Sequence, residues 1–338
     1  MLTAELRRGD LVEVRSPAEI LATLDARGVL GALPFMPEMA AYCGQRFLVE
    51  RRADKICDTV KLTGSRRLPE AVFLANLRCD GSTHGGCQAE CRLIWKEVWL
   101  KKISPDAPAP GPAPADELAA LVDHVSRHLR QSVGTENGAS ECWTCQATEL
   151  FKASDRLGTF DPRPYLREYT SGNVPLSRFL LIASRAAIEE PARKLGLSPT
   201  VFLSGPGGKT ATDVPLDLQP GEYVQVKSKE EIAATLNPTG HNKGLWFDRE
   251  MIAYCGGTFC VRQRVRRFID DRNAQMVELK TDAVTLEGVA CTGDRSQRRW
   301  LCPRHAIPYW RECWLRRIET PAVRRLLPHR AAQGGEMD

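Results

Sequence analysis

The side chains in this sequence with most capacity for chemistry are its twelve cysteines, and several of them recur in a pattern. Cys43, Cys79 and Cys87 return as Cys255, Cys291 and Cys302, and His305 falls within one position of the equivalent of Cys91. Thiolate and imidazole both complete tetrahedral zinc sites. The pattern therefore predicts one ligand set from Cys43, Cys79, Cys87 and Cys91, and a second from Cys255, Cys291, Cys302 and His305. Cys79-Asp80-Gly81 and Cys291-Thr292-Gly293 carry the turn residues that let donors converge. His84, in the loop Ser82-Thr83-His84-Gly85-Gly86-Cys87, is a further donor that could replace one cysteine. The competing reading makes Cys43 and Cys255 ordinary buried thiols. A closed four-ligand site would stabilise a small fold, whereas a missing ligand leaves a position for water or substrate.

Another donor set is His124, His128, Cys142 and Cys145, spaced His-x3-His-x13-Cys-x2-Cys, with Glu149 nearby. Two histidines four apart share one helix face, which suits a two-imidazole, two-thiolate zinc site. The alternatives are solvated histidines beside a lone thiol pair, or a redox dithiol, which no βαβ pattern supports. Gly205-Pro206-Gly207-Gly208-Lys209-Thr210 ends like a phosphate-binding loop, but Leu203 stands where the first glycine is required and Pro215 interrupts the helix that should follow. No nucleophile-elbow serine or cysteine-histidine catalytic signature is present.

The elements that must position these donors are duplicated. Residues 9–81 align with 221–293 at a constant offset of 212, with 27 of 73 pairs identical, too many for chance at a fixed register. After a three-residue expansion, Cys87 through Trp95-Lys96-Glu97-Val98-Trp99-Leu100 matches Cys302 through Trp310-Arg311-Glu312-Cys313-Trp314-Leu315 at offset 215. Each copy opens on an alternating strand, Leu11-Val12-Glu13-Val14 or Tyr223-Val224-Gln225-Val226. A capped helix follows: Ser16-Pro17-Ala18-Glu19 and Ser228-Lys229-Glu230-Glu231 both place serine at the N-cap and glutamate three residues on. A second short helix should stop at Gly44 or Gly256, putting Cys43 and Cys255 at helix ends.

Further strands are expected over 47–52, 71–77 and 97–103, and over 259–264, 283–289 and 312–318. Four or five short strands in about 95 residues suit a small barrel. The fold class expected is mainly β with an α insert: two tandem SH3-like small β-barrels joined by a helical segment. In the Trp-x-Glu-x-Trp signature, a strand would turn both tryptophans to one side, as core anchors or a stacking surface, and the glutamate to the other.

The expected domains are a first barrel over 1–103, a Pro/Ala-rich linker over 104–115, a helical insert over 116–215, a second barrel over 216–320 and a tail over 321–338. Helices are expected over 116–131, 142–154 and 176–195. With 43% hydrophobic residues the chain is large enough to bury cores without covalent staples. No signal-peptide core or membrane-length apolar run is seen, so a cytoplasmic protein without membrane partners is expected. In a reducing compartment the cysteines would serve as metal ligands or buried thiols rather than disulfides. A net charge of +5 is mild. Arg262, Arg264 and Arg266 alternate along one strand face beside Arg267, a pattern that reads as a solvated basic face or a nucleic-acid contact.

The repeated Glu-Met-x-x-Tyr-Cys-Gly and Trp-x-Glu-x-Trp-Leu signatures resemble those of an uncharacterised bacterial family with duplicated modules. The resemblance spans both repeats and the insert and implies no activity. The function expected is a metal-binding protein, zinc with iron as the alternative, acting as a binding or scaffolding component for a protein, peptide or small molecule. A metalloenzyme acting on a small molecule or peptide in a biosynthetic pathway is the alternative, and a nucleic-acid-binding protein a third reading.

Overall fold

The computed structural model describes residues 5–108, 111–135, 138–158, 161–197, 203–206, 215–296 and 298–318. Strand exceeds helix, 29% against 25%, as expected of a mainly β chain with helices. The chain forms two compact units. One comprises Met1–Val201, Arg267–Glu278 and Ala290–Ile307; the other comprises Phe202–Arg266, Leu279–Val289 and Pro308–Asp338.

In the first unit, an antiparallel half-barrel runs in the order Arg92–Lys96, Ala71–Arg78, Arg46–Arg52, Leu11–Val14, Leu100–Lys102. Its opening strand is held on both sides, Val12 opposite Phe47 and opposite Lys102. The second unit repeats this pairing, Val224 opposite Phe259 and opposite Arg317. Both capping boxes form. Glu19 N donates to Ser16 Oγ at 3.3 Å while Ser16 N donates to Glu19, and Ser228 and Glu231 do the same. The short turns after them are 3-10 helices, Pro37–Tyr42 and Arg249–Tyr254, capped by Cys43 and Cys255.

The tryptophans are core anchors in both units. Trp95, Trp99, Trp310 and Trp314 have no exposed surface. Phe35 meets Trp99 edge-on at 5.1 Å between ring centres, and Phe247 meets Trp314 at 5.2 Å. Thr23 and Thr235 accept the indole N–H of Trp99 and Trp314 at 3.0 and 2.9 Å, whereas those of Trp95 and Trp310 are buried without a partner among the described residues. The expected straight strand through this signature is not what forms: Glu97–Trp99 and Glu312–Trp314 are 3-10 turns. The turn swings each glutamate inward. Glu97 pairs with buried Arg52, and Glu312 accepts from the backbone N–H groups of Leu216, Asp217 and Leu218. These ionic and backbone bonds, which a solvent-facing glutamate would forgo, oppose a continuous strand.

The insert is less helical than expected. Ala115–Ser126, Arg163–Thr170 and Leu176–Lys194 are helices. Between the first two, Arg130–Thr135 and Gly138–Trp143 form an antiparallel hairpin, and only Gln146–Glu149 of the expected 142–154 helix is helical. Tertiary pairing overrides the local preference: Cys142 sits opposite Gln275 and Trp143 N donates to Ala274 O at 2.8 Å. Residues 207–214 and 319–338, including most of the glycine-rich loop and all of the expected tail, lie outside the described residues.

The first unit also interlocks segments of the two repeats. Lys55 Nζ donates to Trp300 O and Leu301 O at 2.8 and 2.9 Å, and Arg304 Nη1 to Thr59 Oγ1 at 2.9 Å. In the equivalent contact, Gln88 N donates to Arg267 O at 3.0 Å and Ile269 N to Cys87 Sγ at 3.3 Å. Thr59 bonds the Asp271 carboxylate. Positions 59 and 271 are themselves equivalent at offset 212, so the two segments meet as the halves of a two-fold interface do.

Candidate metal centre

The loop after Ala71–Arg78 is shaped by its own turn residues. Asp80 Oδ1 accepts from Ser82 N and Oγ at 2.9 and 2.7 Å, and Gly81 O accepts from His84 N and Gly86 N. Gly81 has φ +74°, and a Cβ there would lie 2.0 Å from Cys87 O, so only glycine allows the chain to close so tightly. Gly293 repeats the arrangement, with a Cβ 2.4 Å from Cys302 N.

This turn delivers Cys79 and His84 to Glu38 on the 3-10 helix. One donor atom from each of the three lies within 4.8 Å of the others; it is the one such group of His, Cys, Asp or Glu donors among the described residues. Cys79 Sγ and His84 Nε2 are 3.1 Å apart. Thr83 Oγ1 donates to Glu38 Oε2 at 2.7 Å and lies 3.1 Å from His84 Nδ1. Its single proton is used on the carboxylate, so the hydrogen-bond network makes it the acceptor of Nδ1–H. Nε2 is then left with its lone pair toward the sulfur, the orientation that a second-sphere hydroxyl imposes on a metal-binding imidazole. Glu38 Oε1 is buried and has no partner. Burial raises the Cys79 thiol far above its ordinary range, helped by Glu38 and Cys91, and it lowers His84 despite Glu38 and Asp80. The unpartnered Glu38 oxygen beside a half-buried thiol lacks a positive charge, which a divalent cation would supply.

The triad borders a cavity of roughly 40 Å³, also lined by Cys87, Cys91, Cys145 and Ile269. That volume accepts about three or four waters at roughly 10–15 Å³ each. Cys87 and Cys91 therefore share the centre's surroundings without joining the three close donors. Cys145, pushed up to about 12 by burial, belongs here too. Its expected partners lie elsewhere: His124 Nε2 bonds Asp25 O at 2.8 Å, His128 is exposed, and Cys142 Sγ points to Asn273 O at 3.8 Å. Cys43 packs into the core with its thiol raised to about 11 by burial.

Of the second expected set, Cys255 belongs to the second unit and Cys291, Cys302 and His305 to the first. The hydrogen-bond register also reassigns His305. Cys79 N donates to Cys91 O and Cys291 N to Ala306 O, both at 2.8 Å, so Ala306 occupies the place of Cys91. His305 takes that of Glu90, and the two share a left-handed backbone with φ +46° and +47°. No thiol-to-imidazole substitution occurs at that position.

Cys57, which has no cysteine counterpart in the second repeat, was not among the sequence candidates. Bracketed by the Lys55 and Thr59 contacts, its thiol is brought down by the neighbouring Cys302 and then by Arg304 and Arg299, while the Cys302 thiol is pushed up. Its pattern signal is the loss of repeat symmetry itself, since Ile269 fills the equivalent position against Cys87. The basic strand is partly neutralised: Arg264 bonds Asp217, and Arg267 pairs with Glu278 at 2.7 Å. None of the twelve cysteines forms a disulfide. No described helix is long and apolar enough to cross a membrane. No family model matches the chain, and neither a curated protein nor a solved structure is detectably similar to it.

Proposed function

We propose that the chain is a zinc-binding protein whose metal is held by Glu38, Cys79 and His84, within two tandem SH3-like barrel modules that act as a binding or scaffolding component for a partner. The observation that carries this reading is the convergence of a carboxylate, a thiol and a buried imidazole within 4.8 Å. Zinc accepts all three donor types, and a thiolate ligand disfavours magnesium and calcium. The metal would tie the loop over 79–91 to the 3-10 helix that carries Glu38 and so stiffen the half-barrel's end.

A second reading, a zinc or iron enzyme acting on a small molecule, is favoured by donor number. Three protein ligands beside a cavity of roughly 40 Å³ match an open coordination position with a metal-bound water. Cobalt substitution separates the two. A tetrahedral spectrum unmoved by azide or cyanide supports a site closed by a fourth protein ligand, with Cys91, Cys87 and Cys145 as the thiols at hand. A spectrum shifted by azide supports the open site. Absence of stoichiometric cobalt or zinc removes both.

A further inference from the structure

The helix Leu176–Lys194 of the first unit turns its charges inward. Arg178 donates to Asp294 Oδ1 and Thr292 O at 2.8 and 3.1 Å, and Arg185 to Asp294 O at 3.0 Å. Glu190 accepts from Arg298 N and Trp300 Nε1 at 2.7 and 2.8 Å. Among these bonds Phe179, Ile182 and Ala186, spaced three and four apart on one helix face, pack against Trp300 and Leu301.

The opposite face is open and apolar. Leu176, Leu180, Leu181, Ile188 and Leu195 are each between 47% and 73% exposed. Ala183, Ser184, Ala187 and Pro191 lie exposed among them, and Lys194, in the last turn, is the one charged residue of the helix that is exposed. A surface helix ordinarily points its apolar stripe at the core and its charges at water, so this face lacks the groups that would solvate it. The five large side chains leave on the order of 600 Å² open, against roughly 450 Å² of apolar area that each partner brings to a standard interface. A patch of that size marks an interaction surface.

The order of side chains along the stripe selects its partner. Bulky residues stand toward both ends and small ones in the middle, so the stripe reads nearly the same in either direction. In an antiparallel pair with its two-fold axis between residues 185 and 186, Leu176 meets Leu195, Leu180 meets Pro191, Ala183 meets Ile188 and Ser184 meets Ala187. Each contact then occurs twice, as an isologous interface requires. Ala183, Ser184 and Ala187 at the crossing let two helix axes approach closely, and the larger side chains close over the ends. Arg178 and Arg185, bonded inward, put no like charges at the axis.

We propose that this face pairs two copies of the chain through an antiparallel helix–helix contact, making the protein a homodimer. The contact is independent of the metal reading.

The test is analytical ultracentrifugation of the full chain over a range of concentrations, beside Ser184→Lys, Ala187→Glu, the double variant and Val98→Glu. The natural chain is expected to sediment as a dimer with a micromolar or tighter dissociation constant. Each single variant should weaken dimerisation at least tenfold, because the two-fold places two like charges in the apolar centre. Both positions are exposed in the single chain, so circular dichroism should show an unchanged fold. The double variant should recover most of the loss, since each new cation faces the new anion of the other copy. Val98→Glu, in the exposed turn Glu97–Trp99 away from this helix, should leave the dimer intact. A natural chain that stays monomeric at every concentration, including one that floats with phosphatidylcholine vesicles instead, or a dimer indifferent to both single variants, would overturn the proposal.

Discussion

Lys55→Met tests how the repeats interlock. Lys55 is completely buried, donates to Trp300 O and Leu301 O at 2.8 and 2.9 Å, and lies 3.6 Å from Glu168, itself 2% exposed. The Tyr165 ring is 5.1 Å away. Methionine preserves most of the aliphatic stem, so packing changes little and the loss is ionic. Removing one partner of a buried pair costs about 3–5 kcal/mol, and the two carbonyls that lose their donor add about 1 kcal/mol. Glu168, already raised by burial, escapes part of this by taking up a proton. The net expectation is about 4 kcal/mol, or a melting temperature lower by roughly 8–16 °C for a unit of this size. Urea and thermal unfolding of Lys55→Met, Glu168→Gln and the double variant form the assay. The double variant should recover about 2 kcal/mol relative to additivity, because it no longer leaves a buried carboxyl without its cation. A loss below about 1 kcal/mol with additive behaviour would refute the buried-pair reasoning.

Gly81→Ala should lower the urea midpoint far more than Gly9→Ala. Both glycines have positive φ, but a Cβ at Gly81 strikes the Cys87 backbone while one at Gly9 meets nothing within 4 Å; equal effects would contradict the close approach. Trp99→Phe and Trp314→Phe each delete an indole-to-threonine bond and some buried ring, and should cost about 2 kcal/mol apiece in denaturant titrations. Costs that differ by more than about 1 kcal/mol would deny the two cores equivalent packing. The thiolate of Cys57 contributes stability that is complete above the ordinary thiol pKa of about 8.5 and is lost as pH falls through its lowered folded-state pKa. Cys302, shifted upward, contributes stability present below the thiol range and lost above it, so stability should peak near the ordinary thiol pKa. Cys57→Ser should flatten the acid limb in pH-resolved unfolding; an unchanged slope would assign that limb elsewhere.

Patterns of local origin were legible in the sequence. The capping serines, the glycines after Cys43 and Cys255, and the paired tryptophans follow from short-range hydrogen bonding and burial, and each takes the predicted place in both units. Features set by distant contacts were not legible. The 3-10 turn within Trp-x-Glu-x-Trp depends on Arg52 and on the backbone of residues 216–218. The hairpin ending at Trp143 depends on Ala274. Of the candidate site, Cys79 was legible from its duplication. His84 was seen as a spare ligand because it lacks a counterpart, and Glu38 passed as a helix residue although it is repeated as Glu250. A donor group present in only one of two similar segments breaks their symmetry at the site, so repetition alone points away from residues such as His84.

The most direct test of the metal centre is elemental analysis of protein purified without added metal, run beside Cys79→Ser and His84→Gln. The account predicts zinc at one equivalent in the natural chain and its loss from both variants, with Cys43→Ser and His128→Gln retaining it. Metal-free protein, or zinc that persists in Cys79→Ser and His84→Gln, would contradict it.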